Sequence, residues 1–118
     1  MTTIGLVTEA NRGIGFEICR QLGQRGLQVL LTARNAERGR LAAQALTDEG
    51  LDVQFHPLDV TDPDSVSALG AVVEQDFGTL DVLINNAAIY PDSGVSVFDI
   101  SLALLRDTFA VNALIYRS

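Results

Sequence analysis

The stretch Ile4-Gly5-Leu6-Val7-Thr8-Glu9-Ala10-Asn11-Arg12-Gly13-Ile14-Gly15 decides the fold. Its first four residues form a short apolar run, and residues 13–22 form an amphipathic stretch with helical spacing. Between them lies a glycine-containing turn. A turn of this kind, joining a strand to a helix, brings main-chain N–H groups and a helix N-terminus toward one point, the geometry that binds a phosphate.

The same alternation repeats downstream. Strands are predicted at residues 4–8, 27–33, 51–58 and 80–85, with helices over 12–24, 35–48 and from Asp62 to Gly78. Asn35 is positioned to cap the second helix, and Asp62-Pro63 supplies a cap followed by proline at the first helical position. Val66, Leu69 and Val73 share one face of the third helix. A polar loop over residues 90–99 leads to a last helix, capped by Ser101 and continuing past Asn112. Strands alternating with helices imply a parallel sheet covered on both faces. The right-handed crossover rule then selects strand order 3-2-1-4, half of a doubly wound α/β, Rossmann-like fold.

Composition bounds the function. A chain of 118 residues is one domain at most. Its net charge of −7 argues against nucleic acid or an anionic membrane as partner, and all eight basic residues are arginines. No apolar run approaches the roughly 20 residues of a membrane span. The N-terminus lacks the pattern of a secretory signal. The single Cys19 suits a reducing, cytoplasmic setting and falls in register with Ile14, Ile18 and Leu22, as a buried small hydrophobe does. No metal site is expected. The pair Asp62 and Asp64 sits in a helix first turn, where carboxylates complement the macrodipole.

Because the glycine turn follows a strand and opens a helix within a βαβ unit, it points to a dinucleotide. Gly13 and Gly15 would let the backbone approach a diphosphate. An acidic residue at the end of the second strand would hold the ribose 2′-OH of NAD. Here Thr32-Ala33-Arg34 stands instead. Arg34 and Arg12 could each offer a planar donor fork to the 2′-phosphate of NADP, the alternative being two solvated arginines.

With these residues in view, the chain resembles the N-terminal half of a short-chain dehydrogenase/reductase, most closely the carbonyl-reductase type, across residues 3–114. Residues 8–15 are similar to the family's T-G-x-x-x-G-x-G cofactor turn. Asp59-Val60 resembles the pair at the adenine edge, and Asn85-Asn86-Ala87-Ala88 the N-N-A-G segment that ends the fourth strand. The resemblance implies NADP as cofactor, held by Thr8, Asn11, Arg12, Gly13, Ile14, Gly15, Arg34, Asp59, Val60, Asn86 and Ala87. It implies Asn112 as the helix asparagine of the catalytic tetrad, holding a water beside the active-site lysine. Plainer roles stand beside these. Asp59 could merely precede a helix cap, the asparagines could satisfy strand-end backbone groups, and Asn112 could be a helix-surface residue. Tyr90 lies in the loop expected over the site, and His56 is read as a strand-end residue outside the chemistry.

Two departures from the family pattern follow. Glu9 stands where the family turn has its first glycine, which predicts weakened NADP affinity, restored by Glu9→Gly. The family's serine and Tyr-x-x-x-Lys pair are also missing: the chain has no lysine, and Tyr90 is followed four residues later by Gly94. The expectation is a partial NADP-binding domain over residues 1–118, truncated before the fifth strand and inactive alone. A complete relative would move hydride between NADP and a small carbonyl or alcohol. The alternative is a non-catalytic, vestigial nucleotide-binding or partner-binding module. It would associate as a homo-oligomer, or with a full-length relative through its last helix. An uncovered apolar edge on the fourth strand would invite such association.

Overall fold

The computed structural model describes residues 3–86, 105 and 107–116, the last five of these by their main chain. The apolar runs become four parallel strands, β1 (Ile4–Val7), β2 (Gln28–Ala33), β3 (Val53–Pro57) and β4 (Leu80–Asn85). Between them lie α1 (Gly13–Gln24), α2 (Ala36–Asp48) and α3 (Pro63–Asp76). The expected order β3-β2-β1-β4 is the one observed.

Along β1 and β2, side chains alternate across the sheet with a period of two, as pleating requires. Leu6 and Leu30 join Leu58, Val66, Leu69, Val73, Leu80 and Leu83 in one core layer. Their neighbours Val7, Val29 and Leu31 join Cys19, Ala42, Ala43, Leu46 and Ile84 in the other. Cys19 is therefore a core residue, as expected, with Ile18 and Leu22 packed against the same layer, whereas Ile14 of the expected register is exposed.

The caps of α2 and α3 form as read. Asn35 Oδ1 accepts from the Arg38 amide at 2.9 Å, and Asp62 Oδ1 from the Asp64 amide at 3.0 Å. Each of α1, α2 and α3 is followed by a left-handed glycine, Gly26, Gly50 and Gly78 in turn, which closes the turn back toward the sheet.

The end of the chain differs from expectation. Val111–Tyr116 forms a fifth parallel strand, β5, in place of the helix predicted to run past Asn112. It extends the order to β3-β2-β1-β4-β5, so among the described residues the sheet has five strands rather than four and β4 has no open edge. The physical reason is hydrogen-bond satisfaction. The row of N–H and C=O groups along β4 needs partners, and a run containing Val, Ile and Tyr fits a pleated ladder better than a helix. Leu80 pairs with Val111 and Val82 with Ala113. Upstream, Leu105 and Phe109 are buried in the Leu6 core layer. The predicted loop over residues 90–99, Tyr90, the cap Ser101 and Ala87 lie outside the described residues.

Candidate nucleotide-binding site

The turn between β1 and α1 emerges at the carboxyl end of the sheet, beside the strand where the order reverses direction, the usual ligand crevice of such folds. It is clamped from both sides. On the β2 side, Thr32 Oγ1 donates to the Val7 carbonyl at 2.8 Å, and the Ala10 amide donates to the Thr32 carbonyl at 2.9 Å. On the β4 side, Thr8 Oγ1 donates to Asn85 Oδ1 and accepts from the Asn86 amide, both at 2.8 Å. Thr8, Thr32 and Asn85 are fully buried. Thr8, expected among the cofactor contacts, is thus an internal brace of the turn.

Asn86 completes the clamp. Its Nδ2 donates to the Glu9 carbonyl at 3.5 Å and lies against Gly15, where an added Cβ would sit 2.8 Å from it. That Cβ would also stand 2.9 Å from the Glu9 carbonyl oxygen, so the second motif glycine is required for close approach of helix and turn. Gly13 is different. Its φ is +64°, and nothing lies within 4 Å of where a Cβ would stand. The turn therefore opens outward at Gly13 and closes inward at Gly15.

The N-terminus of α1 lacks the cap that α2 and α3 carry. Arg12 occupies the cap position, and no side chain there accepts from the first-turn amides. Those amides are among the donors a helix cannot satisfy by itself, and they sit at the positive end of its dipole. Ile14 projects beside them with 59% of its surface exposed, unusual for so apolar a residue.

Next to this turn is a cavity of about 350 Å³ lined by Glu9, Asn11, Arg12, Arg34, Asn35 and Arg38. Three arginines face one glutamate there, a local excess of positive charge in an acidic chain. Arg34 Nε donates to Glu9 Oε1 at 3.0 Å. Glu9 holds this position with φ +49°, the left-handed region that its missing glycine would adopt freely. Arg38 and Thr32 were not among the predicted residues. Arg38 lies in the first turn of α2, just after Arg34 and the cap Asn35, and lines the same cavity; Thr32 is the polar interruption in an apolar strand.

Asp59 and Val60 follow β3 at the same end of the sheet. Asp59 Oδ1 accepts from the Thr61 amide at 2.9 Å and is also bound by the Thr61 hydroxyl. The hydroxyl first, then the amide, hold the Asp59 carboxyl below the usual carboxylate range, with a smaller pull from Arg34. Asp59 thereby braces its own loop. The Val60 side chain is buried in the core, so any contact it makes with a ligand falls to its main chain. Asn112 lies in β5, not on a helix, so the helix position expected of it in a proton relay is corrected. His56 lies in β3, half-buried, near Gln54.

Residues 3–115 match the family model for short chain dehydrogenase. The chain belongs to this family. It is 52% identical over 103 residues to (−)-isopiperitenone reductase of Mentha piperita, covering 82% of this chain and 32% of that protein. It is 51% identical over 87 residues to carbonyl reductase [NADPH] 1 of Bos taurus, covering 73% of this chain and 31% of that protein. Among solved structures, a metagenomic short-chain oxidoreductase in complex with NADP superposes with a TM-score of 0.79 at 29% identity, over 91% of this chain and 54% of that one. This short-chain dehydrogenase sequence thus spans about a third of the length of these curated relatives. Among the described residues, no helix is long and apolar enough to cross a membrane, and no cluster of side chains could hold a metal ion.

Proposed function

We propose that this chain is the NADP-binding portion of a short-chain oxidoreductase acting on carbonyl or alcohol substrates. The observation that carries the proposal is the uncapped start of α1 beside a cavity with three arginines. The first-turn amides would take the diphosphate, and the open side of Gly13 leaves room for it. Arg34, with Arg12 and Arg38, would take the 2′-phosphate through charge-assisted hydrogen bonds. Ile14 would offer an apolar surface at the mouth of the turn. Asp59, the Val60 main chain, Asn11, Asn86 and Ala87 would frame the adenosine.

The relatives support the same reading, since carbonyl reductase [NADPH] 1 of Bos taurus and the NADP complex both use the phosphorylated dinucleotide. Bound NADPH supplies the hydride for carbonyl reduction. This chain's residues bind and orient that cofactor. Thr8, Thr32, Asn85 and Asn86 hold the turn in shape for it. The proton of such a reaction must come from elsewhere, because these 118 residues contain no lysine to pair with a tyrosine. The stretch by itself therefore binds cofactor without turnover. The lone Cys19 is buried and in no disulfide, which suits a cytoplasmic protein.

NADPH fluorescence titration tests the proposal. A saturable enhancement, with affinity markedly weakened in Arg34→Ala/Arg38→Ala, is expected. A folded chain that gives no saturable signal at millimolar NADPH refutes it. Assay of NADPH oxidation with small aldehydes is expected to show none.

A further inference from the structure

We propose that Glu9 sets the cofactor preference of this site, by holding Arg34 in the place of the 2′-phosphate. The inference rests on the proposed NADP site and concerns which end of the dinucleotide Glu9 opposes. A carboxylate replacing a turn glycine would be expected to burden the diphosphate, which lies over the turn. The geometry points elsewhere. The main chain of Glu9 is fixed by Asn86 on its carbonyl, and the next residue, Ala10, is fixed by Thr32. With the backbone so held, the side chain meets Arg34, which lies 25 positions on, directly after β2.

Glu9 is the more enclosed partner, its side chain 22% exposed against 60% for Arg34. Arg34 is thus folded down onto the carboxylate, while its remaining surface faces solvent. A phosphate arriving from that side meets a guanidinium already neutralised and a like charge behind it. An adenosine without the 2′-phosphate escapes both effects. The pair is solvent-accessible, and such pairs are weak. Glu9 can therefore be displaced, so it tunes the preference and does not block binding. Arg12 and Arg38 still contribute attraction.

The test compares two fragments, 2′,5′-ADP and 5′-AMP, titrated calorimetrically into the full chain and its Glu9→Gln and Glu9→Gly variants. Glu9→Gln keeps the shape and removes the charge, while Glu9→Gly also relieves the left-handed backbone. Both variants are expected to bind 2′,5′-ADP roughly tenfold more tightly, on the scale of a partly screened charge pair, and 5′-AMP within about twofold of the parent. An equal gain for both fragments overturns the inference, because Glu9 would then act on the phosphate common to them. Unchanged affinities overturn it as well, while leaving the NADP site standing. If none of the three proteins binds either fragment, the site assignment falls and the inference falls with it.

Discussion

Replacing Thr8 by valine removes one hydroxyl and two hydrogen bonds without changing the side chain's shape. The hydroxyl donates to Asn85 Oδ1 and accepts from the Asn86 amide, each at 2.8 Å, in a site with no solvent access at Thr8 or Asn85. Depriving buried polar groups of a partner costs about 1–3 kcal/mol each. The Asn86 amide is only partly buried and recovers some of this from water. The extra methyl returns a little through apolar burial. The net destabilisation is about 2–4 kcal/mol, a large share of the roughly 5–15 kcal/mol typical of a domain. Urea unfolding followed by circular dichroism reads it as a fall in midpoint of about 1–2 M. Thr8→Ser keeps both bonds and loses only a methyl, so its cost is about 1 kcal/mol. Equal stability of Thr8→Val and the parent, or equal losses for the valine and serine variants, would refute the role assigned to this hydroxyl.

Further outcomes follow from the same packing. Gly15→Ala places a Cβ within 3.0 Å of the Glu9 carbonyl and the Ala10 Cα, so calorimetry should show a loss of about 1–3 kcal/mol, accompanied by weaker NADPH binding. Burial pushes the Cys19 thiol up to about 12, so Ellman's reagent at pH 8 should leave the native protein unlabelled and react once denaturant is added. Burial lowers the His56 pKa, against a smaller upward pull from Asp76. Its neutral form is therefore favoured by folding. That contribution is complete above the unfolded histidine value near 6.5 and is lost as pH falls below it. Urea midpoints of the parent should drop from pH 7 to pH 5 more steeply than those of His56→Gln.

Local chemistry made most of the fold legible. The Asn35 and Asp62 caps, the glycines after each helix and the apolar runs all act within a few residues, and the elements they predict are present. The last strand was not legible in this way. Val111–Tyr116 is compatible with either period, and the open edge of β4, some thirty positions upstream, decides between them. The site divides along the same line. Gly13, Gly15, Arg12 and Arg34 can be read from the turn and the end of β2. The pairing of Thr8 with Asn85 spans 77 positions and that of Glu9 with Arg34 spans 25, so neither could be seen without the register of the sheet. Thr8 consequently reads as a ligand contact in the sequence and is a brace in the structure. Arg38 is hidden for a different reason. Charged residues at helix starts are ordinary surface features until a cavity is seen to gather them.

The most direct test of a dinucleotide site at the β1–α1 turn is an NMR titration of the isotope-labelled chain with 2′,5′-ADP. Saturable shifts are expected for the amides of residues 11–15 and for the side-chain Nε signals of Arg34 and Arg38. The turns at Gly26, Gly50 and Gly78, at the opposite ends of the strands, should stay unmoved. Shifts confined to those turns, or none at saturating ligand in a folded chain, would contradict the account.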